Sequence, residues 1–311
     1  MATPERIAEI VHRAVQGMGS DGLALAEVLS VSTNEELRAA AEFYSDKHGE
    51  EMKERIVKEC TGMLSKKYGE WMEAICHFDR NEDGDDEAAE EIAEALYQAG
   101  AAKMMGVDEE VFQQHLANAS LSRCAAVCKA YEGLHKNTLF ADVERKFRGG
   151  LEDAIIARLT PPLQLYAANL TKACKGLGSD KQAIARIFGT MSLRELPEFV
   201  AGFEGGADAL DELLDKETGG DLRAALAVML AEKSPTGNNK YVNENEVDAG
   251  VVGDSFREEF LLSYDWQRAA DVGRIIARDK PHHDVATNPP HERWHGAAFP
   301  LMPYVSSRGY D

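Results

Sequence analysis

A short glycine loop recurs three times along this chain. The copies run from Gln16 to Asp21, from Lys103 to Asp108 and from Lys175 to Asp180, and each lies between two amphipathic helical patterns. Self-similarity of this kind is typical of repeat proteins, in which one supersecondary unit is stacked on the next. The chain is therefore expected to fold as a series of similar helical repeats.

The first and third loops have the chemistry of a calcium site. Each contains two glycines, which let the backbone turn its carbonyl oxygens toward one point. Farther along the chain, Glu59 follows the first loop and Glu217 follows the third, each in a glycine-containing turn. A carboxylate aimed at carbonyl oxygens supplies the hard oxygen ligands that Ca²⁺ prefers. The alternative is a plain helix–helix turn without a ligand.

The charge of the chain limits its partners. Its 311 residues carry a formal net charge of −20. This argues against direct nucleic-acid binding, which needs basic patches against phosphate. It would also repel an anionic membrane unless a cation bridges the two surfaces.

The secondary structure is predicted to be helical throughout. Thr33 with Glu36, and Ser192 with Glu195, form capping boxes at equivalent places in two repeats. No run of alternating β-branched residues favours a strand. The first helix carries one apolar stripe made of Ile7, Ile10, Val11, Ala14 and Val15.

Each repeat is predicted to contain five helices, with the glycine loop before the second. The segment from Phe256 to Arg278 also looks helical, and the residues after it have no clear period. The predicted divisions are a repeat at 1–78, an acidic linker at 79–84, repeats at 85–158 and 159–232, and a divergent C-terminal region at 233–311.

These features resemble the annexins. The turns Glu59-Cys60-Thr61-Gly62 and Glu217-Thr218-Gly219-Gly220 look like the acidic turn of that family. The segment from Ala93 to Gly100 looks like the start of the third repeat of a four-repeat annexin. The resemblance implies that the three repeats correspond to the family's second to fourth, with the usual first repeat missing or replaced.

The resemblance implies an all-α, right-handed superhelical array and Ca²⁺-dependent binding to acidic phospholipid membranes. The apolar residues Met18 and Leu177 would lie at membrane-contacting loop tips. Carbonyl or carboxylate oxygens for calcium would come from Val15, Gly17, Gly19 and Glu59 in the first repeat, and from Cys174, Gly176, Gly178 and Glu217 in the third.

The second repeat departs from the family pattern. Met104 stands where the other loops have their first glycine, and Lys146 stands where they have the carboxylate. An ammonium group cannot ligate calcium and repels it, so this site is expected to be lost. Gly22 and Lys181 also replace an acid that the family uses for an auxiliary calcium site.

Two further motifs suggest other metal sites. The segment from Asp79 to Glu90 fits an EF-hand loop, but no second loop exists to pair with it. His291-Glu292-x-x-His295 matches the zinc metalloprotease pattern, although Gly296 and Pro300 leave little room for the helix it needs. We expect a chance match in a polar tail, and a zinc metalloprotease that uses His291 and His295 is the remote alternative.

The sequence thus favours a non-enzymatic, calcium-dependent phospholipid-binding protein. A scaffold with a cytoskeletal or other protein partner and weak calcium dependence is the main alternative. The N-terminus has no basic stretch followed by an apolar run. We therefore expect a cytoplasmic protein that becomes peripheral on membranes when calcium rises, with its five cysteines reduced.

Overall fold

The computed structural model describes residues 4–16, 20–63, 66–82, 88–175, 178–191 and 195–231. Within these ranges the chain forms fifteen α-helices and no strand, which confirms the all-α prediction. The helices fall into three sets of five, called the first, second and third repeats below.

The first repeat contains α1 (Pro4–Ala14), α2 (Gly22–Val31), α3 (Asn34–His48), α4 (Met52–Met63) and α5 (Lys66–Ile75). The second contains α6 (Ala89–Ala99), α7 (Glu109–Leu116), α8 (Leu121–His135), α9 (Leu139–Lys146) and α10 (Gly149–Leu159). The third contains α11 (Pro162–Ala173), α12 (Lys181–Thr190), α13 (Glu195–Gly202), α14 (Gly206–Glu217) and α15 (Gly220–Ala231). Each glycine loop precedes the second helix of its repeat, as predicted.

Side-chain caps fix where the helices begin. At α3, the Thr33 side chain accepts from the Glu36 backbone, and the Glu36 carboxylate accepts from the Thr33 amide at 2.7 Å. This confirms the first capping box, which satisfies amide groups that the helix itself leaves unbonded. Ser120 caps α8 more simply, because its side chain accepts from the Arg123 amide without a reciprocal bond. Ser192 lies outside the described residues.

The described chain divides into two compact units, one up to Tyr166 and the other from Ala167 onward. The first unit packs around large side chains that are almost fully buried, among them Tyr44, Tyr68 and Trp71. The predicted apolar stripe of α1 lies in this core, since all five of its residues are at most 4% exposed. In the second unit the Phe188 and Phe199 rings meet edge to face at 5.9 Å.

A cluster of three aromatic rings recurs at equivalent positions of the first two repeats. In each cluster the ring from the first helix stacks on a histidine at the end of the third helix, with centroids 3.7 Å apart in the first repeat and 3.8 Å in the second. The clusters are His12, Tyr44 and His48 in the first repeat and Tyr97, Tyr131 and His135 in the second. The two repeats therefore share packing as well as helix order.

The start of the acidic linker is held against the first repeat. The partly buried Arg80 donates to the Leu29 carbonyl at 2.9 Å and also to the Ser32 carbonyl, both at the end of α2. The Asn34 side chain donates to the Arg80 carbonyl at 2.7 Å. A guanidinium suits this place because the carbonyls at a helix C-terminus carry partial negative charge.

All five cysteines are free thiols; four are buried and Cys128 is partly exposed. In the part of the chain that the structure describes, the helices are too short and too polar for any of them to cross a bilayer.

Candidate calcium-binding loops

The first and third loops close in the same way. The Asp21 amide donates to the Ala14 carbonyl at 2.7 Å, and the Asp180 amide donates to the Ala173 carbonyl at 2.8 Å. In both loops the aspartate side chain then accepts from backbone amides of the following helix. Each loop is thus fixed between the end of one helix and the capped start of the next.

A serine ties the third loop to its acidic turn, whereas the turn predicted at residues 59–62 is wrong, because these residues lie within α4. The Ser179 hydroxyl donates to the backbone carbonyl of Glu217. In the first repeat the Ser20 hydroxyl lies against the thiol of Cys60, which directly follows Glu59. Glu217 is therefore held close to its loop by a contact between residues 38 positions apart, whereas within the described part of the chain the Ser20 hydroxyl makes no hydrogen bond that would do the same for Glu59.

The charges of Glu217 and Glu59 also act on nearby cysteine thiols. Burial, and then the negative charge of Glu217, raises the pKa of Cys174 to about 11. Burial raises the pKa of Cys60 to about 11, with hydroxyl contacts opposing it and Glu59 adding to it. Cys174 and Glu217, two of the predicted ligands of the third repeat, are thus near neighbours.

An arginine lies between two predicted ligands of the first loop. Arg55 Nη2 donates to the Val15 carbonyl at 2.9 Å and lies 3.3 Å from the Glu59 carboxylate. The Arg55 side chain is 24% exposed, and that of Glu59 is 18% exposed. The oxygens gathered here already surround a positive group, and their types fit Ca²⁺.

The third loop has a weaker internal cation. Lys216 Nζ lies 3.5 Å from the Glu217 carboxylate, but the Lys216 side chain is 78% exposed. An ion pair this open to solvent contributes little. Gly178 has a φ of +96°, a left-handed conformation that a residue with a side chain rarely adopts.

The second loop differs in both backbone and charge. Its Asp108 amide donates to the Ala99 carbonyl at 2.9 Å, so the loop spans two residues more than the other two. Lys146 Nζ donates to the Lys103 carbonyl at 2.6 Å. The ammonium group of Lys146, which replaces the expected carboxylate, therefore hydrogen-bonds directly to the loop backbone.

Five of the eight predicted calcium ligands are described by the structure. Val15 and Glu59 are brought together around Arg55, and Cys174, Gly178 and Glu217 lie in or beside the third loop. Gly17, Gly19 and Gly176, with the loop tips Met18 and Leu177, lie outside the described residues. The ligand set stays a prediction.

Arg55 was missed by the sequence reasoning. Its spacing of four residues before Glu59 is a visible ion-pair signal on a helix. Its bond to the Val15 carbonyl crosses 40 residues and has no local signal.

The competing motifs gain no support. Arg80, within the EF-hand-like segment, is hydrogen-bonded to the end of α2, while residues 83–87 of that segment lie outside the described ranges. The zinc motif from His291 to His295 also lies outside them. Among the described residues, no group of three or more His, Cys, Asp or Glu side chains could hold a metal.

Solved annexin structures share this fold. Chicken annexin V at 2.25 Å matches with a TM-score of 0.62 and 23% identity, covering 72% of this chain and 71% of that one. A calcium-bound alpha-14 giardin matches with a TM-score of 0.61 and 23% identity, covering 72% and 74%. Likeness at this level of identity shows the five-helix repeat fold.

Sequence comparison shows the family. The annexin family model matches residues 6–67. Mouse annexin A13 is 30% identical over 230 residues, which cover 73% of this chain and 72% of the relative. Drosophila melanogaster annexin B10 is 28% identical over 240 residues, covering 74% and 73%, whereas the match to human annexin A7 covers 46% of that protein. This chain belongs to the annexin family.

Proposed function

We propose that this protein binds calcium at its first and third loops and attaches through them, reversibly, to acidic phospholipid membranes. Annexins in general bind such membranes in a calcium-dependent manner and are generally not enzymes. For this chain we further propose that Glu59 and Glu217 are the carboxylate ligands. Its location would be cytoplasmic, and peripheral on membranes when calcium rises.

The observation that carries this proposal is the arrangement around Arg55. A backbone carbonyl and a carboxylate that are 44 positions apart in the sequence both contact one guanidinium group. Oxygens collected around a cation are what a calcium site requires. The serine contact between the third loop and the Glu217 turn supports an equivalent site there.

In this mechanism the protein residues have separate tasks. Glu59 and Glu217 supply negative charge, and the loop carbonyls supply neutral oxygens at fixed positions. Bound Ca²⁺ would present positive charge to a lipid phosphate, which completes its coordination. Because the chain carries a net charge of −20, removal of calcium leaves protein and acidic bilayer repelling each other.

The test is co-sedimentation with phosphatidylserine vesicles, in calcium and then in chelator. The wild type should pellet only with calcium, and the double variant Glu59→Gln/Glu217→Gln should stay in solution. Glu9→Gln is a matched control, because Glu9 also pairs with an arginine one turn away and its side chain is 15% exposed. The control should pellet like the wild type. Pelleting of the double variant at unchanged calcium concentration would contradict the assignment.

A scaffold function is the second candidate. It is favoured by the internal cations Arg55 and Lys146, which contact the first two loops and weaken or replace calcium there. On this alternative the wild type would fail to pellet even at millimolar calcium. The partner would then be another protein, such as a cytoskeletal element.

A further inference from the structure

The second loop carries a positive charge without any metal. Lys146 occupies the chain position of Glu59 and Glu217, and its ammonium group bonds the Lys103 carbonyl at 2.6 Å. A lysine ammonium remains charged throughout the physiological pH range. Lys103 provides a second ammonium group. Its Nζ lies 3.8 Å from the Asp108 carboxylate, and its side chain is 42% exposed. The bond that holds the loop together, and the two ammonium groups at the loop, are therefore present at any calcium concentration.

Two methionines project from the tip of this loop. Met104 is 99% exposed and Met105 is 89% exposed. In the described part of the chain, Leu134 is the only other large hydrophobic residue that is exposed. Single exposed apolar residues need no explanation, but two adjacent ones at a loop tip are a candidate contact surface. Methionine is well suited to an irregular apolar surface because its side chain is flexible.

The second loop lies on the same side of the first compact unit as the first loop. A Cβ atom on Gly22, directly after the first loop, would lie 3.8 Å from the Gly150 Cα, four residues after Lys146. At the start of α5 the pKa of Lys67 is raised chiefly by its bond with Glu70 and further by the charges of Glu109 and Glu110, directly after the second loop. The starts of α2, α5 and α10 therefore meet, and the start of α7 lies on the α5 side of this junction.

We propose that the second loop is a calcium-independent contact with an acidic phospholipid bilayer. Met104 and Met105 enter the apolar interface, and the ammonium groups of Lys103 and Lys146 face lipid phosphates. This rests on the proposed function, in which calcium at the first loop brings the same side of the unit to the membrane. Asp108, Glu109 and Glu110 oppose the attraction, so the second loop adds to the calcium attachment and does not replace it.

The first test measures vesicle affinity at saturating calcium. Met104→Ser/Met105→Ser should weaken binding to phosphatidylserine vesicles about tenfold, because two apolar side chains lose their burial. Calcium stoichiometry measured by calorimetry should not change. Leu134→Ser is the control for loss of an exposed apolar residue. Lys146→Gln should also weaken vesicle binding, and it should do so more than its control, Lys129→Gln. Equal affinity of the loop variants and the wild type would overturn the proposal.

The second test does not depend on calcium binding. Full-length Met105→Trp with an added histidine tag is tethered to vesicles by a nickel-chelating lipid in calcium-free buffer. Tryptophan emission should shift to the blue on phosphatidylserine vesicles and less on neutral phosphatidylcholine, while Leu134→Trp should not respond. An unshifted emission on tethered acidic vesicles would refute the calcium-independent contact. If calcium-dependent pelleting fails but this shift appears, only the proposed function fails.

Discussion

The first and second loops each contain a cation supplied by the protein, but they use it differently. In the first loop Arg55 contacts Glu59 and the Val15 carbonyl, and its Nε lies 4.0 Å from Glu50, a second acid. In the second loop the lysine has replaced the acid itself, and its ammonium bonds the loop backbone. On our proposal calcium displaces the arginine because the carboxylate remains, whereas the second loop has Lys146 in place of that carboxylate.

On our two proposals this difference separates calcium-regulated attachment from calcium-independent attachment. The affinity of the first loop for calcium would then reflect a competition between Ca²⁺ and the Arg55 guanidinium. The second loop cannot respond to calcium at this position. The same repeat fold would thus hold one site that responds to an ion and one that carries a fixed lysine charge.

The largest effect should come from Gly150, which lies at the junction between the helix that follows the first loop and the helix that follows Lys146. A Cβ atom at Gly150 would lie 2.9 Å from the buried ring of Tyr68, so Gly150→Ala should cost about 1 to 3 kcal/mol of unfolding free energy. Gly133→Ala is the matched control, because a Cβ atom added to this helical glycine would meet no atom within 4 Å. It should stabilise by up to about 1 kcal/mol. Urea unfolding measures both, and equal effects of the two substitutions would contradict the packed junction.

The next largest effect should come from Arg55→Gln. Removing the competing guanidinium should raise the calcium affinity of the first loop about fivefold, since a partly exposed ion pair contributes up to about 1 kcal/mol. Arg13→Gln is the matched control, because Arg13 pairs with Glu9 in the same i,i+4 geometry. Calorimetric titration with calcium measures the affinity. A weaker site in Arg55→Gln would mean that the arginine organises the ligands instead of competing with the ion.

The smallest effect concerns acid stability, and it contrasts His12 with Tyr97 at the equivalent position. Burial, and then the nearby His48, lowers the pKa of His12 below 6.5 in the folded state. The stability that depends on neutral His12 is therefore complete above pH 6.5 and is lost as the pH falls through the lower folded-state pKa. His12→Tyr, which copies the second repeat, should reduce the loss of urea resistance on acidification. An unchanged pH dependence would exclude His12 as its source.

Much of the fold could be predicted because its signals are local. The glycine loops, the aspartates that cap α2 and α12, and the box of Thr33 with Glu36 each act within a few residues. The recurring ring clusters were also visible, since Tyr-x-x-x-His occurs at 44–48 and again at 131–135. That signal was missed because polar aromatic residues were not counted as part of the core pattern.

The candidate sites were predictable only in part. The loss of a carboxylate at Lys146 could be inferred from charge alone. Its bond to the Lys103 carbonyl could not, because that contact joins residues 43 positions apart and depends on how α9 packs. The contact between Arg55 and the Val15 carbonyl has the same origin, across 40 residues.

The hydrogen bonds of the Arg80 guanidinium affect where this protein can be divided into fragments. A boundary at residue 78 looks natural in the sequence, but Arg80 supplies the donors that the Leu29 and Ser32 carbonyls accept. A fragment that stops at 78 would leave the end of α2 without these bonds. During synthesis, α2 likewise cannot reach its final bonding until the connection to the next repeat has left the ribosome. The boundaries of the sequence repeats therefore differ from the boundaries of the segments that can complete their hydrogen bonds alone.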